Sequence, residues 1–282
     1  MDERTEGNPR AILDVQHLSV GFRTSAGFGP VVDDVSFSVG RQRTLCMVGE
    51  SGSGKSVTCY SALGLLARNG RRTGGRILFE GRDLAQLDER SFNAIRGREI
   101  GMVFQDSLGS LNPVHTVGVQ MNETLAIHTA MTERERRARM LELLNLVGIA
   151  EPERRLHAYP HQLSGGMAQR VMIGMALACS PKLLIADEPT TALDVTILAQ
   201  ILDLLNRLKS TLGMAILFVT HDLGVVAEIA DDVIVMRRGK VVESGPVEAI
   251  FGNPQVEYTR ELLGSMVRSD VSAPIYRPRT AA

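Results

Sequence analysis

Apolar runs of strand length alternate with longer amphipathic stretches through most of this sequence, the pattern of a parallel sheet covered by helices. Residues 45–48, 100–104, 183–186, 214–220 and 232–236 read as strands, and 57–66, 196–212 and 223–230 as helices. Ahead of that pattern, 12–22 and 31–39 alternate with period two. Val35, Phe37 and Val39 fall on one side, as in antiparallel strands with one exposed face. Between 121 and 166 the strand signal disappears, and 132–147 predicts a capped, charged helix carrying Met140, Leu143, Leu144 and Val147 on one face. The fold class is therefore α/β, opened by a small antiparallel β layer and interrupted by a helical subdomain at about 106–170.

Composition narrows the function classes. At 282 residues and 44% hydrophobic, the chain can bury a large core and is globular, not disordered. Its 31 basic and 32 acidic residues cancel, so no overall field draws it to nucleic acid or to an anionic membrane surface. Cys46, Cys59 and Cys179 are odd in number and far apart, without the paired spacing of a zinc site or redox dithiol, which fits a reducing cytoplasm. Residues 1–10 are polar and charged and read as a flexible leader, lacking the apolar core of a secretory signal. No apolar stretch approaches the roughly 20 residues of a membrane-spanning helix, so any work at a membrane is by docking. From 269 onward the chain is polar and punctuated by Pro274 and Pro278, an extended or mobile end.

The chemistry starts at Gly49-Glu50-Ser51-Gly52-Ser53-Gly54-Lys55-Ser56, directly after the apolar strand at 45–48 and directly before the helical run that begins at Val57. This is G-x-x-x-x-G-K-S in the strand–loop–helix context the motif requires. Glycines let the backbone curl around phosphates with its N–H groups pointing inward, and the helix N-terminus adds a favourable field for the anion. Lys55 is expected to reach the β- and γ-phosphates, and the Ser56 hydroxyl to ligate Mg²⁺. The nucleotide contacts are expected to run from Gly49 to Val57.

A second motif is more specific. Leu163-Ser164-Gly165-Gly166-Met167, followed by Gln169-Arg170, resembles the signature that separates ABC ATPases from other P-loop proteins. It stands before the apolar strand that ends in Asp187-Glu188, and the resemblance covers about residues 12–265. It implies an ABC ATPase fold: a RecA-like P-loop NTPase core, an antiparallel β subdomain and an inserted α-helical subdomain. In domain terms this gives an ATPase domain at 11–265 and a short tail at 266–282. It also implies roles. Asp187 would hold Mg²⁺ through water, Glu188 would polarise the attacking water, and Gln105 would contact Mg²⁺ and that water while coupling the site to a membrane subunit. His221 would hold the γ-phosphate, Phe22 would stack on adenine with Val32 nearby, and Asp194 in Ala192-Leu193-Asp194 would cross to an opposite subunit. Leu163, Ser164, Gly165, Gly166, Met167 and Gln169 would complete the partner's site, so two ATP molecules would lie between two ATPase domains. Phe22 also ends a strand, where core packing is the alternative reading.

Within that family, Gln105-Asp106-Ser107 with Ser110-Leu111-Asn112-Pro113, Tyr159-Pro160-His161, and the run from Ala186 to Thr196 resemble the bacterial dipeptide, oligopeptide and nickel importers. That resemblance implies a heterodimer with a second ATPase subunit, two membrane-spanning permease subunits and an extracytoplasmic solute-binding protein, at the cytoplasmic side of the cell membrane. The solute would be a peptide, with nickel or another small solute as the alternative. Many peptide-importer ATPases end in a cysteine-bearing extension that can hold an iron–sulfur cluster. No cysteine follows Cys179, so no cluster is expected. A non-transport ABC ATPase of translation or DNA repair is the competing class, and neither a second cassette nor a splitting coiled coil or zinc module is visible.

Overall fold

In the computed structural model, which describes residues 8, 10–25, 27–189 and 195–267, the chain divides into two units, one up to Leu87 and from Ala215 onward, the other Asp88–Met214. The first unit opens with β1 (Ala11–Thr24) and β2 (Gly27–Gly40), paired antiparallel. The period-two pattern is realised directly: Val32, Val35, Phe37 and Val39 are buried while Asp33, Asp34, Ser36 and Ser38 face solvent. Then come β3 (Thr44–Val48), buried at all five positions, α1 (Lys55–Ala62), β4 (Gly70–Phe79) and β5 (Arg82–Asp83). The antiparallel sheet has the order β2-β1-β4-β5.

The second unit contains α2 (Glu89–Ile95), β6 (Ile100–Val103), α3 (Ser107–Ser110), α4 (Val117–His128), α5 (Glu133–Leu146), α6 (Pro152–Arg155), α7 (Gly165–Ala176), β7 (Leu183–Asp187) and α8 (Val195–Leu212). No strand occurs from α3 to α7, where the sequence lost its strand signal. The predicted helix is α5, and its start is a capping box: Thr132 Oγ1 accepts the Glu135 N–H at 3.4 Å, and the Glu135 carboxylate accepts the Thr132 N–H at 2.7 Å. The Thr132 N–H and the Thr132 hydroxyl, which donates to the same carboxylate at 2.8 Å, hold the Glu135 carboxyl below its ordinary range. Met140, Leu143, Leu144 and Val147 are buried, as their spacing predicts.

The chain then returns to the first unit with β8 (Ala215–Val219), α9 (Leu223–Ile229), β9 (Asp232–Arg237), β10 (Lys240–Pro246), α10 (Val247–Gly252) and α11 (Glu257–Val267). Here β3 lies between β8 and β9, parallel to both, and β10 closes antiparallel on β9. Two differences from the sequence pattern have clear causes. The helix expected at 57–66 stops at Ala62, because Gly64 adopts φ 60 and the N–H groups of Gly64 and Leu65 turn back to the carbonyls of Ser61 and Tyr60. β4 was not expected: Gly-Arg-Arg-Thr-Gly-Gly-Arg has no alternation, and the segment becomes a strand by pairing with β1, from Leu13↔Phe79 to Phe22↔Gly70.

Candidate functional site

The phosphate loop sits between β3 and α1. Gly54 caps α1 at φ 102, and a Cβ there would lie 3.2 Å from the Val31 carbonyl and 3.3 Å from Val32 Cγ2. Gly49 is tighter: at φ 149 a Cβ would lie 2.1 Å from the Met236 carbonyl, so no side chain fits without moving β9. Gly52, at φ 79, faces open space. Backbone bonds close the loop, from Ser53 N–H to Glu50 O at 3.2 Å and from Gly239 N–H to Ser53 O at 2.9 Å.

Lys55 is buried, and its ammonium donates to the carbonyls of Gly49 at 2.8 Å and Glu50 at 3.0 Å. The lysine is thus folded back over its own loop, where phosphate oxygens would compete with two carbonyls for it. Ser53 Oγ is also buried and has no protein partner, an orphan that a bound anion could satisfy. Ser51 is exposed, and Ser56 and Val57 are half-buried at the start of α1. The cradle, the cation and the eight-residue helix behind them fit a nucleotide's phosphates.

His221 follows β8. The parallel register Met47↔Val219, continued two residues, sets it beside Gly49 at the carboxyl edge of the two strands. Thr220 N–H bonds to Met47 O at 3.2 Å, and Asp222 caps α9 through the N–H of Gly224 at 2.8 Å, so the turn carrying His221 is held on both sides. The ring is exposed. Phe22 is half-buried with its ring over Gly70, where a Cβ would come 2.5 Å from it, and Val32 is fully buried. Phe22 therefore has a packing role in β1 and β4 as well as an exposed remainder.

In the second unit, β6 and β7 run parallel with Val103 level with Ala186. Two residues on, Gln105 and Glu188 meet, Gln105 Nε2 donating to Glu188 Oε2 at 3.2 Å. Asp187 is fully buried, whereas Glu188 is half-buried and enters the left-handed region at φ 45 just before Pro189. A non-glycine residue holds that conformation at a cost of about 1–2 kcal/mol, and here it breaks the strand's alternation so that successive carboxylates serve different surroundings.

Ser164 caps α7, its hydroxyl accepting the Met167 N–H at 3.3 Å. Ser164 and Gly165 are exposed, whereas Leu163, Gly166 and Gln169 are buried and Met167 is half-buried. A Cβ on Gly166 would meet Ile197 Cγ2 at 2.8 Å, so this glycine lets α8 approach α7. Arg170 steadies the same helix, bonding to Val147 O at 2.7 Å and Gln200 Oε1 at 2.9 Å. The exposed serine and glycine form a helix N-terminus open to an outside partner. Asp194, with Ala192 and Leu193, lies outside the described residues.

Sequence reasoning missed one contact of the phosphate loop. Tyr258 of α11 accepts the Glu50 N–H at 3.3 Å from 208 residues away, and no local pattern points to it.

A family model described as ABC transporter matches residues 32–191. The peptidoglycan transport ATP-binding protein YejF of Agrobacterium fabrum is 53% identical over 276 residues, 96% of this chain and 50% of that protein, so the chain spans half the length of that relative. The dipeptide transport ATP-binding protein DppD of Bacillus subtilis is 49% identical over 262 residues, 93% of this chain and 78% of that one. Among solved structures, a dimeric ATP-binding cassette in a post-hydrolysis state with ADP and phosphate superposes with a TM-score of 0.75 at 29% identity, covering 83% of this chain and 98% of that one. A Clostridium perfringens protein that is part of the ABC transporter complex cbiONQ gives 0.73 at 29% identity, over 92% and 97%.

Proposed function

The chain belongs to the ABC transporter family of ATP-binding proteins, and we propose that it is the ATP-hydrolysing subunit of a bacterial importer that takes up peptides through separate membrane subunits. The single observation that carries the hydrolytic reading is the Gln105–Glu188 bond at the carboxyl ends of β6 and β7. It sets a carboxylate and an amide side by side where one can accept a proton and the other can orient a water. The peptide reading rests on the relatives, which include dipeptide and oligopeptide transport ATP-binding proteins of Bacillus subtilis at 49% and 50% identity.

In this reading residues 11–265 form the ATPase domain. Lys55 leaves the Gly49 and Glu50 carbonyls for the β- and γ-phosphates, and the N–H groups of the loop and of the first turn of α1 hold the remaining oxygens. Ser56, Asp187 and Gln105 are the residues that would hold Mg²⁺, which when bound neutralises charge building on the phosphate oxygens. Glu188 polarises the attacking water, and His221 orients it and holds the γ-phosphate. Phe22 offers the exposed part of its ring to adenine.

The exposed Ser164–Gly165 turn, with Leu163, Gly166, Met167 and Gln169 shaping it and Asp194 beyond, acts on the nucleotide of a second ATPase subunit. One copy of each half-site per chain requires that dimer. A heterodimer, two permease subunits and an extracytoplasmic solute-binding protein complete the transporter, with this chain at the cytoplasmic face of the cell membrane. Among the described residues no helix is long and apolar enough to cross a membrane.

Purification of the tagged chain from native membranes in mild detergent, with ATPase assays against candidate solutes, tests this reading. Two polytopic proteins and a second ATPase are expected, with hydrolysis stimulated by di- or oligopeptides. Recovery of ribosomes or DNA-repair proteins would leave the ATPase and remove the importer, and stimulation by nickel alone would replace the peptide.

A further inference from the structure

The contact between α11 and the phosphate loop has a specific geometry. The carbonyl of Gly49 accepts from Lys55 Nζ at 2.8 Å, and the N–H of Glu50 donates to Tyr258 Oη at 3.3 Å. Those two groups belong to one planar peptide unit, so the unit is held at both ends, by the lysine on its oxygen and by the tyrosine on its nitrogen. It has little other freedom. Gly49 is wedged against the Met236 carbonyl, and Arg237, the next residue of β9, lays its guanidinium over the Tyr258 ring at 4.4 Å.

Tyr258 is itself fixed. It is 4% exposed, and the N-terminal end of its helix is tied to β10 by Glu243, which accepts the N–H groups of Gln255 at 2.7 Å and Val256 at 3.2 Å. A buried tyrosine hydroxyl requires a partner, and this one has taken a backbone donor of the phosphate loop. Burial also keeps the phenol protonated, pushing it above its ordinary range.

We propose that Tyr258 is a positioning residue for nucleotide binding, fixing the Gly49–Glu50 peptide on which Lys55 rests and so setting where the lysine stands when phosphate displaces it. The inference rests on the reading of residues 49–56 as the ATP site. Without the hydroxyl, the peptide keeps only the tether on its oxygen, the lysine rests on a less firmly fixed acceptor, and ordering both becomes part of the cost of binding. α11 is thereby part of the nucleotide site although it touches no nucleotide.

Tyr258→Phe removes only the oxygen and keeps the ring under Arg237. With the purified full chain and a fluorescent ATP analogue, its dissociation constant should rise about three- to tenfold, the effect of one lost hydrogen bond. Competition by inorganic tripolyphosphate should weaken by the same factor, since the defect lies at the phosphate end. The unfolding temperature without nucleotide should fall by only about 2–4 °C, the cost of one lost hydrogen bond, so the variant stays folded through the binding assay. Affinity within twofold of the parent in the folded variant would overturn the proposal. Amide exchange of Glu50 in the unmodified protein decides the matter should the variant not fold: protection is expected, and exchange at the rate of an open loop sinks the idea. Lys55→Ala separates the two levels of argument. Equal ATP affinity in that variant and the parent overturns the site itself and this inference with it, whereas weak binding by Lys55→Ala beside normal binding by Tyr258→Phe removes the inference alone.

Discussion

Gln105 and Glu188 lie 83 residues apart in sequence, yet the amide of one donates to the carboxylate of the other at 3.2 Å. The parallel pairing of β6 with β7 makes this so, because strands in register at Val103 and Ala186 deliver the residues beyond their ends to the same place. The pair then reads as a unit in which the amide orients and the carboxylate accepts.

Glu188→Gln keeps the size of the side chain and a group able to accept from Gln105, and removes the charge. Turnover should fall about 10²- to 10⁴-fold, the usual contribution of a positioned base, with ATP affinity retained. Single-turnover hydrolysis beside equilibrium binding checks both halves, and hydrolysis near the parental rate would take Glu188 out of its role.

Lys55→Ala should produce the opposite split. Loss of a cation from the phosphates costs about 1.5–3 kcal/mol, or roughly 10- to 150-fold in ATP affinity. Calorimetric titration with ATP measures it, and circular dichroism should show the fold intact, since the backbone bonds that close the loop do not involve the lysine side chain.

The capping box of α5 is a stability device remote from the chemistry. Thr132→Ala removes the acceptor for the Glu135 N–H and should lower stability by about 1 kcal/mol in denaturant unfolding. ATP affinity should not change.

Glu243 gives a pH-dependent prediction. Partial burial pushes its carboxyl up, but the Thr259 hydroxyl beside it, the N–H groups of Gln255 and Val256 and the Arg260 guanidinium hold it below the ordinary carboxylate range. A carboxyl lowered on folding adds stability above its unfolded value and loses it as pH falls through the folded one. Glu243→Gln should therefore be less stable than the parent at pH 7, by about 1 kcal/mol for a partly exposed site. The difference should vanish as pH falls below the ordinary carboxylate range. Denaturant unfolding across pH checks this, and a gap that persists in acid would assign it to packing.

Much of the site was legible because its parts are contiguous. The run from Gly49 to Ser56 encodes its own backbone path, since Gly49 and Gly54 stand where a Cβ would strike Met236 or Val31, and the lysine follows the last glycine onto the helix. The signature run was legible for the same local reason: Ser164 caps a helix, and the exposed turn is built by consecutive residues. The period-two pattern of β2 and the period-3.6 face of α5 also report burial directly, because each element meets the core on one side only.

Tertiary structure decided what depends on pairing between distant segments. β4 is a strand because β1 supplies its ladder, not because Gly-Arg-Arg-Thr-Gly-Gly-Arg favours one. Phe22, read as base-stacking with core packing as the alternative, lays its ring over Gly70, a contact that exists only because β1 pairs with β4. Tyr258 reaches Glu50 across 208 residues through a single hydroxyl, which leaves no periodicity, spacing or composition behind. Sequence alone determined the chemistry that consecutive backbone can carry. The fold decided which remote side chains hold that backbone still, because a hydrogen bond between distant segments exists only once the strands and helices carrying them have packed.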